Sequence, residues 1–174
     1  WVKYRDQRNE AAAAAFSQLL NAAEAKPIKV EAVTQQSEQL VRDYGPTSFA
    51  ALAQLVTARV LVESGKLSEA KGLLAQVAEQ APDPALREVA VLRRTRVLLQ
   101  ENNPSEALQW LDRQPKGAGF EAERSVILGD IASLQGNLSQ AHAAYETALA
   151  GQVSNRALVQ FKLDNLPPVI TPGS

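Results

Sequence analysis

The sequence predicts an all-α chain, an α-solenoid of about three to four helical hairpins closed by a C-terminal capping helix. Three observations point there. Alanine and leucine are abundant, aromatics make up 5% of the chain and β-branched runs are short, a balance that favours helix over strand. Apolar residues recur three and four positions apart in successive segments, the spacing of one helix face, and Gly, Pro or Asn separates those segments. Finally, three turns align. ESGKLSEA ends at Ala70, QENNPSEA at Ala107 and LQGNLSQA at Ala141, 37 and 34 residues apart. That spacing is close to the period of stacked helical hairpins. Each turn places a turn former first, then a serine as N-cap (Ser68, Ser105, Ser139), then an alanine where two helices touch.

Residues 1–8, WVKYRDQR, mix aromatics with Lys3, Arg5 and Arg8. From the residues they read as a polar helix start, with a juxtamembrane stub as the alternative, because Trp, Tyr and basic side chains collect at bilayer interfaces. A helix is expected from about Asp6 to Ala25, built on the five alanines Ala11–Ala15 and the stripe Phe16, Leu19, Leu20, Ala23. Pro27 ends it. A second helix runs from about Lys29 to Asp43, burying Val30, Val33, Leu40, Val41 and Tyr44, and Gly45-Pro46 breaks the chain. Thr47–Gln80 form a helical hairpin. Its first helix carries Phe49, Leu52, Leu55, Val56 and Val60 up to Gly65, and its second carries Ala70, Leu73, Leu74 and Val77.

After Pro82-Asp83-Pro84, a helix over Ala85–Gln100 meets a turn at Asn102-Asn103-Pro104. A partner helix follows from Ser105, with Ala107, Leu108 and Leu111 inward. Pro115–Gly119 are a looser link. The clearest hairpin spans about Phe120–Ala150. A last helix over Ser154–Leu166 is expected to turn Leu158, Phe161 and Leu166 inward and cover the end of the stack. Residues 167–174, ending ITPGS, show no periodicity and are expected to be a flexible tail. A degenerate fourth copy of the turn lies at Val30-Glu31-Ala32, where Pro27 and Lys29 replace Gly and Leu.

Within the clearest hairpin, small residues stand wherever two helices must approach: Gly129 and Ala132 on the first helix, Gly136 at its end, Ala141 on the second. Tyr145 and Ala148 follow Ala141 on the same face. This arrangement resembles one tetratricopeptide (TPR) repeat. It departs at Ser125, where the repeat usually has Trp, and at Val153, where it usually has Pro.

At 174 residues the chain can bury a sizeable core. A net charge of -1 argues against a general nucleic-acid binder, which needs a concentrated basic face. There is no cysteine, hence no disulfide framework or thiolate chemistry. There is no methionine either and the chain starts at Trp1, so an N-terminal part of the natural protein is expected to precede it. No apolar run reaches the roughly 18 residues needed to span a bilayer.

Chemistry-bearing residues are sparse. His142 is the single histidine, with Gln140 and Ala143 beside it offering no partner for general-base work. A zinc site needs several His or Cys ligands, and no glycine-rich phosphate loop follows a strand. Glu121/Glu123 and Glu101/Glu106 fall at helix ends, where carboxylates complement the helix dipole. No catalytic, cofactor or metal residue is therefore assigned, and the chain is read as a non-enzyme.

The informative face is the inner one of each hairpin's first helix. In register, one slot holds Arg59, Arg96 and Asp130; another Leu55, Leu92 and Val126; a third Leu52, Val89 and Glu123; a fourth Val62, Leu99 and Ser133. The TPR likeness implies that this face forms a concave partner-binding groove for an extended or helical segment. Here it would be an apolar floor with two arginines, suited to an apolar segment bearing a carboxylate. The alternative is that the N-terminal helices fill part of it as core.

Over nearly all of residues 1–166 the chain also resembles the YfgM family, the ancillary subunits of the bacterial SecYEG translocon. The likeness is carried by Tyr44-Gly45, FAALAQLVTARVLVESGKLSEA, LRRTRVLLQENNPSEAL, ERSVILGDIASLQGNLSQAHAAYETAL and FKLDNLP. It implies a TPR-like periplasmic domain spanning residues 9–166, anchored on the periplasmic side of the inner membrane by one transmembrane helix absent from this chain. Residues 1–8 then become the juxtamembrane stub. It further implies the SecYEG translocon and a PpiD-type periplasmic chaperone as partners, and a role in handing translocated proteins to periplasmic chaperones. The competing reading is a general TPR scaffold or regulatory adaptor in another envelope or cytosolic complex.

Overall fold

A computed structural model describes residues 2–168, with side chains from residue 7 onward. Among these residues there are nine helices and no strand. They are α1 (Val2–Glu24), α2 (Val30–Tyr44), α3 (Ser48–Glu63), α4 (Leu67–Gln80), α5 (Pro84–Gln100), α6 (Pro104–Arg113), α7 (Glu121–Leu134), α8 (Leu138–Ala150) and α9 (Arg156–Asp164). The all-α architecture follows the expected order. Residues up to Ala90 make one compact unit and residues from Val91 onward another. Trp1, the side chains of residues 2–6 and residues 169–174 lie outside the description, and with them most of the stub and of the expected tail.

In the first unit, α1, α2 and α3 pack mutually, and α4 returns along α3. Leu19, Ala23, Val33, Leu40, Ala50, Ala53 and Val60 form the core, and Phe16 meets Phe49 with ring centroids 6.1 Å apart. Arg8 donates to the carbonyl of Asp43 at 3.2 Å, placing a cation at the carbonyl end of α2, where the helix dipole favours it. The N-terminal helices are thus part of this unit's core.

The three aligned turns share one backbone solution. Gly65, Asn102 and Gly136 have φ of 76, 56 and 76°. The next N–H reaches back five residues: Lys66 to Leu61 O at 2.8 Å, Asn103 to Leu98 O at 2.9 Å, Asn137 to Ala132 O at 2.8 Å. This left-handed cap satisfies the last carbonyls of one helix and reverses the chain. Only Gly, or Asn at some cost, adopts that φ readily.

The same turns correct the expected caps. Ser68, Ser105 and Ser139 sit inside their helices, which begin at Leu67, Pro104 and Leu138. The residue after the left-handed position already serves as N-cap, so each serine, two residues later, falls within the first turn of the helix. Of these caps, Asn103 uses its side chain, accepting from Glu106 N at 3.4 Å, whereas Lys66 and Asn137 make no side-chain cap bond.

The second unit is built on the tight α7–α8 hairpin. An added Cβ on Gly129 would lie 2.5 Å from Tyr145 Cδ1, so the Tyr145 ring rests directly on the α7 backbone. Ala141, Tyr145, Ala148, Leu149, Val126 and Ala132 form the core there. Nearby, Trp110 of α6 donates to Val91 O at 3.3 Å, and the Arg94 guanidinium stacks 4.1 Å from its ring centroid. The buried Arg124 donates to Pro115 O at 2.7 Å and ties down the link before α7.

The last helix corrects the expected inward set. Val159 is 2% exposed and Leu163 and Leu166 pack on the core of α7 and α8, whereas Leu158 and Phe161 are 47% and 63% exposed. Val159 and Leu163 stand four positions apart and share one helix face, and Leu166 follows just past the helix end; Leu158 and Phe161 lie off that face.

Candidate functional site

The register positions fall into two sorts. Leu55, Leu92 and Val126 are buried and act as core, where apolar area removed from water stabilises the fold. Leu52 and Val62 of α3, Val89 and Leu99 of α5, and Ser133 of α7 are half-buried.

The charged positions differ from one another more than their shared slot suggests. Arg59 is exposed and pairs with Glu63 one turn along its own helix at 3.2 Å. Arg96 is exposed but reaches across to α7, donating to Glu123 Oε2 at 3.3 Å. Glu123 Oε1 accepts from the Ser154 N–H at 2.8 Å and from its hydroxyl. Burial pushes the Glu123 carboxyl up, but the two Ser154 donors, with Arg96, outweigh it and hold the group below the usual carboxylate range.

Asp130 is half-buried and engaged within the fold. Its Oδ1 accepts from Tyr145 OH at 2.7 Å, and Lys162 Nζ bridges both carboxylate oxygens at 2.6 and 2.7 Å. Burial first, and then the Asp130 hydrogen bond, push the Tyr145 hydroxyl well above its ordinary pKa, so it stays a donor. Asp130 and Glu123 are therefore both engaged by the C-terminal segment, one through α9 and one through the residues leading into it.

Sequence reasoning missed Ser154 and Lys162. The available signal was Lys162, the cation in the last turn of the last helix, between Phe161 and Leu163; its partner, 32 residues earlier, is set by packing. The same reasoning found no partner for His142, yet His142 Nδ1 lies 3.2 Å from Glu146 Oε2 one turn on. Both side chains are exposed, which makes this a surface pair. Among the described residues, no group of three or more His, Cys, Asp or Glu could hold a metal ion. No described helix is long and apolar enough to cross a membrane.

This hairpin geometry, with a small residue facing an aromatic across a left-handed turn, is that of the TPR, and a family model described as "Tetratricopeptide repeat-like domain" matches residues 1–168. The chain belongs to that family. The TPR-like domain is also similar to curated proteins named "Ancillary SecYEG translocon subunit". It is 28% identical to that of Haemophilus influenzae, over 95% of this chain and 80% of the relative. It is 29% identical to that of Aggregatibacter actinomycetemcomitans over the same shares. For the protein of Escherichia coli the identity is 27%, over 95% and 79%. No solved structure matches the chain.

Proposed function

We propose that this TPR-like domain is a non-enzymatic protein–protein interaction module that associates with the SecYEG translocon. It faces the periplasm, carried by a single membrane anchor in the full-length protein, and helps pass translocated proteins to periplasmic chaperones, including one of the PpiD type. The observation that carries this reading is similarity along 95% of the chain to proteins named for that translocon. The helical repeats support the interaction role, because stacked hairpins present surface rather than an enclosed reactive pocket. A general scaffold in another envelope or cytosolic complex would share the repeats but not the full-length similarity.

The test is crosslinking of the full-length protein in cells, with identification of what is captured. Translocon subunits and a periplasmic chaperone are expected. Capture confined to cytosolic proteins, or to an unrelated envelope complex, refutes the reading. Arg59 in one unit and Arg96 in the other are the exposed cations at the register positions, and both are proposed to face partners. Because Arg59 pairs with Glu63 and Arg96 holds Glu123, reversing either charge would oppose two carboxylates, so Arg59→Gln with Arg96→Gln is the cleaner variant. It is expected to reduce capture while helicity stays at the parent level. Undiminished capture places the contact elsewhere.

A further inference from the structure

The segment seated on the α7–α8 hairpin belongs to the chain itself, and its chemistry describes what that seat accepts. α9 presents Val159 and Leu163 to the core of the hairpin, with Leu166 just past its end packing there too, and Lys162 to Asp130. The seat is an apolar strip made of Val126, Tyr145, Ala148 and Leu149, with a carboxylate at its edge. Asp130 is oriented from below by the Tyr145 hydroxyl, so the acceptor is aimed before any cation arrives.

The present occupant is lightly held. α9 spans nine residues and buries one side chain fully, Val159. Its largest apolar side chain, Phe161, points to solvent at 63% exposure. Leu163 and Leu166 pack on the hairpin core but are only partly buried, and the polar ties are the Lys162–Asp130 pair, with side chains 30% and 22% exposed, and the Ser154–Glu123 bonds at the surface. Segments with few buried apolar contacts and exposed polar ties open well below the global unfolding free energy.

We infer that the α7–α8 face beneath α9 is a docking surface for a basic amphipathic helix of a protein partner, occupied in the free chain by its own α9. This rests on reading the chain as a protein-interaction module. A partner helix with apolar residues four and seven apart and a lysine or arginine beside them reproduces every contact α9 makes. It can add a second cation for Glu123 once the segment carrying Ser154 lifts away. The affinity observed is reduced by the fraction of time that α9 is in place, so whatever loosens α9 strengthens the partner.

The experiment uses the full chain and, as probe, a fluorescent synthetic peptide of residues 154–168. Lys162→Gln removes the pair but leaves Asp130 and the apolar strip intact. Amide hydrogen exchange in α9 is expected to rise about tenfold while α8 is unchanged, and the variant is expected to bind the peptide about tenfold more tightly than the parent, the effect of one partly exposed charged contact. Asp130→Asn in that background keeps an acceptor for Tyr145 but removes the charge, and should abolish the gain.

Three results overturn the proposal: equal peptide binding by parent and Lys162→Gln, a gain that survives Asp130→Asn, or α9 amides that exchange only together with α8. Failure here is distinguishable from failure of the functional reading. Translocon crosslinks without any peptide gain remove this surface and leave the module; a peptide gain without translocon crosslinks keeps the surface and removes the translocon.

Discussion

Replacing Gly129 with alanine adds a single methyl group to the middle of α7, and its consequence follows from one contact. The new Cβ would lie 2.5 Å from Tyr145 Cδ1, about 1 Å inside the normal carbon–carbon separation of roughly 3.5–4.0 Å. The ring cannot simply swing aside. Tyr145 is 3% exposed and its hydroxyl is anchored 2.7 Å from Asp130. Overpacking of this kind costs about 1–3 kcal/mol, and loosening the hydroxyl contact adds about 1 kcal/mol. Against this, alanine in a helix interior gains roughly 1 kcal/mol over glycine. The net is a destabilisation of about 1–3 kcal/mol, a fall in Tm of roughly 2–12 °C for a chain of this size.

Gly72 supplies the control. It lies inside α4 with nothing within 4 Å of an added Cβ, so Gly72→Ala should stabilise by about 0.5–1 kcal/mol. Thermal and urea unfolding followed by far-UV circular dichroism measures both variants. If Gly129→Ala melts at or above the parent temperature, the glycine is not there for the ring. Gly129→Ala combined with Tyr145→Leu is expected to recover part of the loss; a strictly additive double variant would also contradict the steric account.

Other contacts give sharper, smaller expectations. Glu123 has its folded pKa below the unfolded value, so its contribution is complete above the unfolded pKa of about 4.3 and fades as pH falls through the folded value. Urea unfolding of the parent and Glu123→Gln should therefore differ at pH 7 and converge under acid; a gap independent of pH would refute the assignment. Trp110→Phe loses the indole bond to Val91 O and weakens the Arg94 stacking, a cost of about 1–2 kcal/mol in chemical denaturation. Gly136→Ala forces a Cβ into φ 76° and should cost about 1–2 kcal/mol, although nothing lies within 4 Å of the added atom. A neutral result there would mean that the turn relaxes.

Much of this molecule is written locally. The nine helices of the described residues are legible because their apolar spacing and their Gly, Pro and Asn boundaries are properties of a few consecutive residues. Gly129, Ala141, Tyr145 and Ala148 announce a close hairpin, since close approach restricts residue size before any fold is specified. Gly65 and Gly136 announce the reversals, because few residues tolerate their backbone angle.

What the sequence left open belongs to pairings between distant segments. Ser68, Ser105 and Ser139 are good caps in isolation, but the left-handed turn hands the cap position to Lys66, Asn103 and Asn137, as the backbone bonds to Leu61, Leu98 and Ala132 require. Leu158, Phe161 and Leu166 form as plausible an inner set as Val159, Leu163 and Leu166; only the placement of α9 against α8 selects the second and leaves Phe161 in solvent. The spacing places Glu123 and Asp130 on the groove face but says nothing of their partners. Tertiary packing brings Ser154 and Lys162, 31 and 32 residues away, to within hydrogen-bond distance of them. Local spacing fixes helices and turns because it acts over one turn of backbone, whereas the orientation of the last helix and the partners of its charges depend on a hairpin face that exists only after the chain has folded.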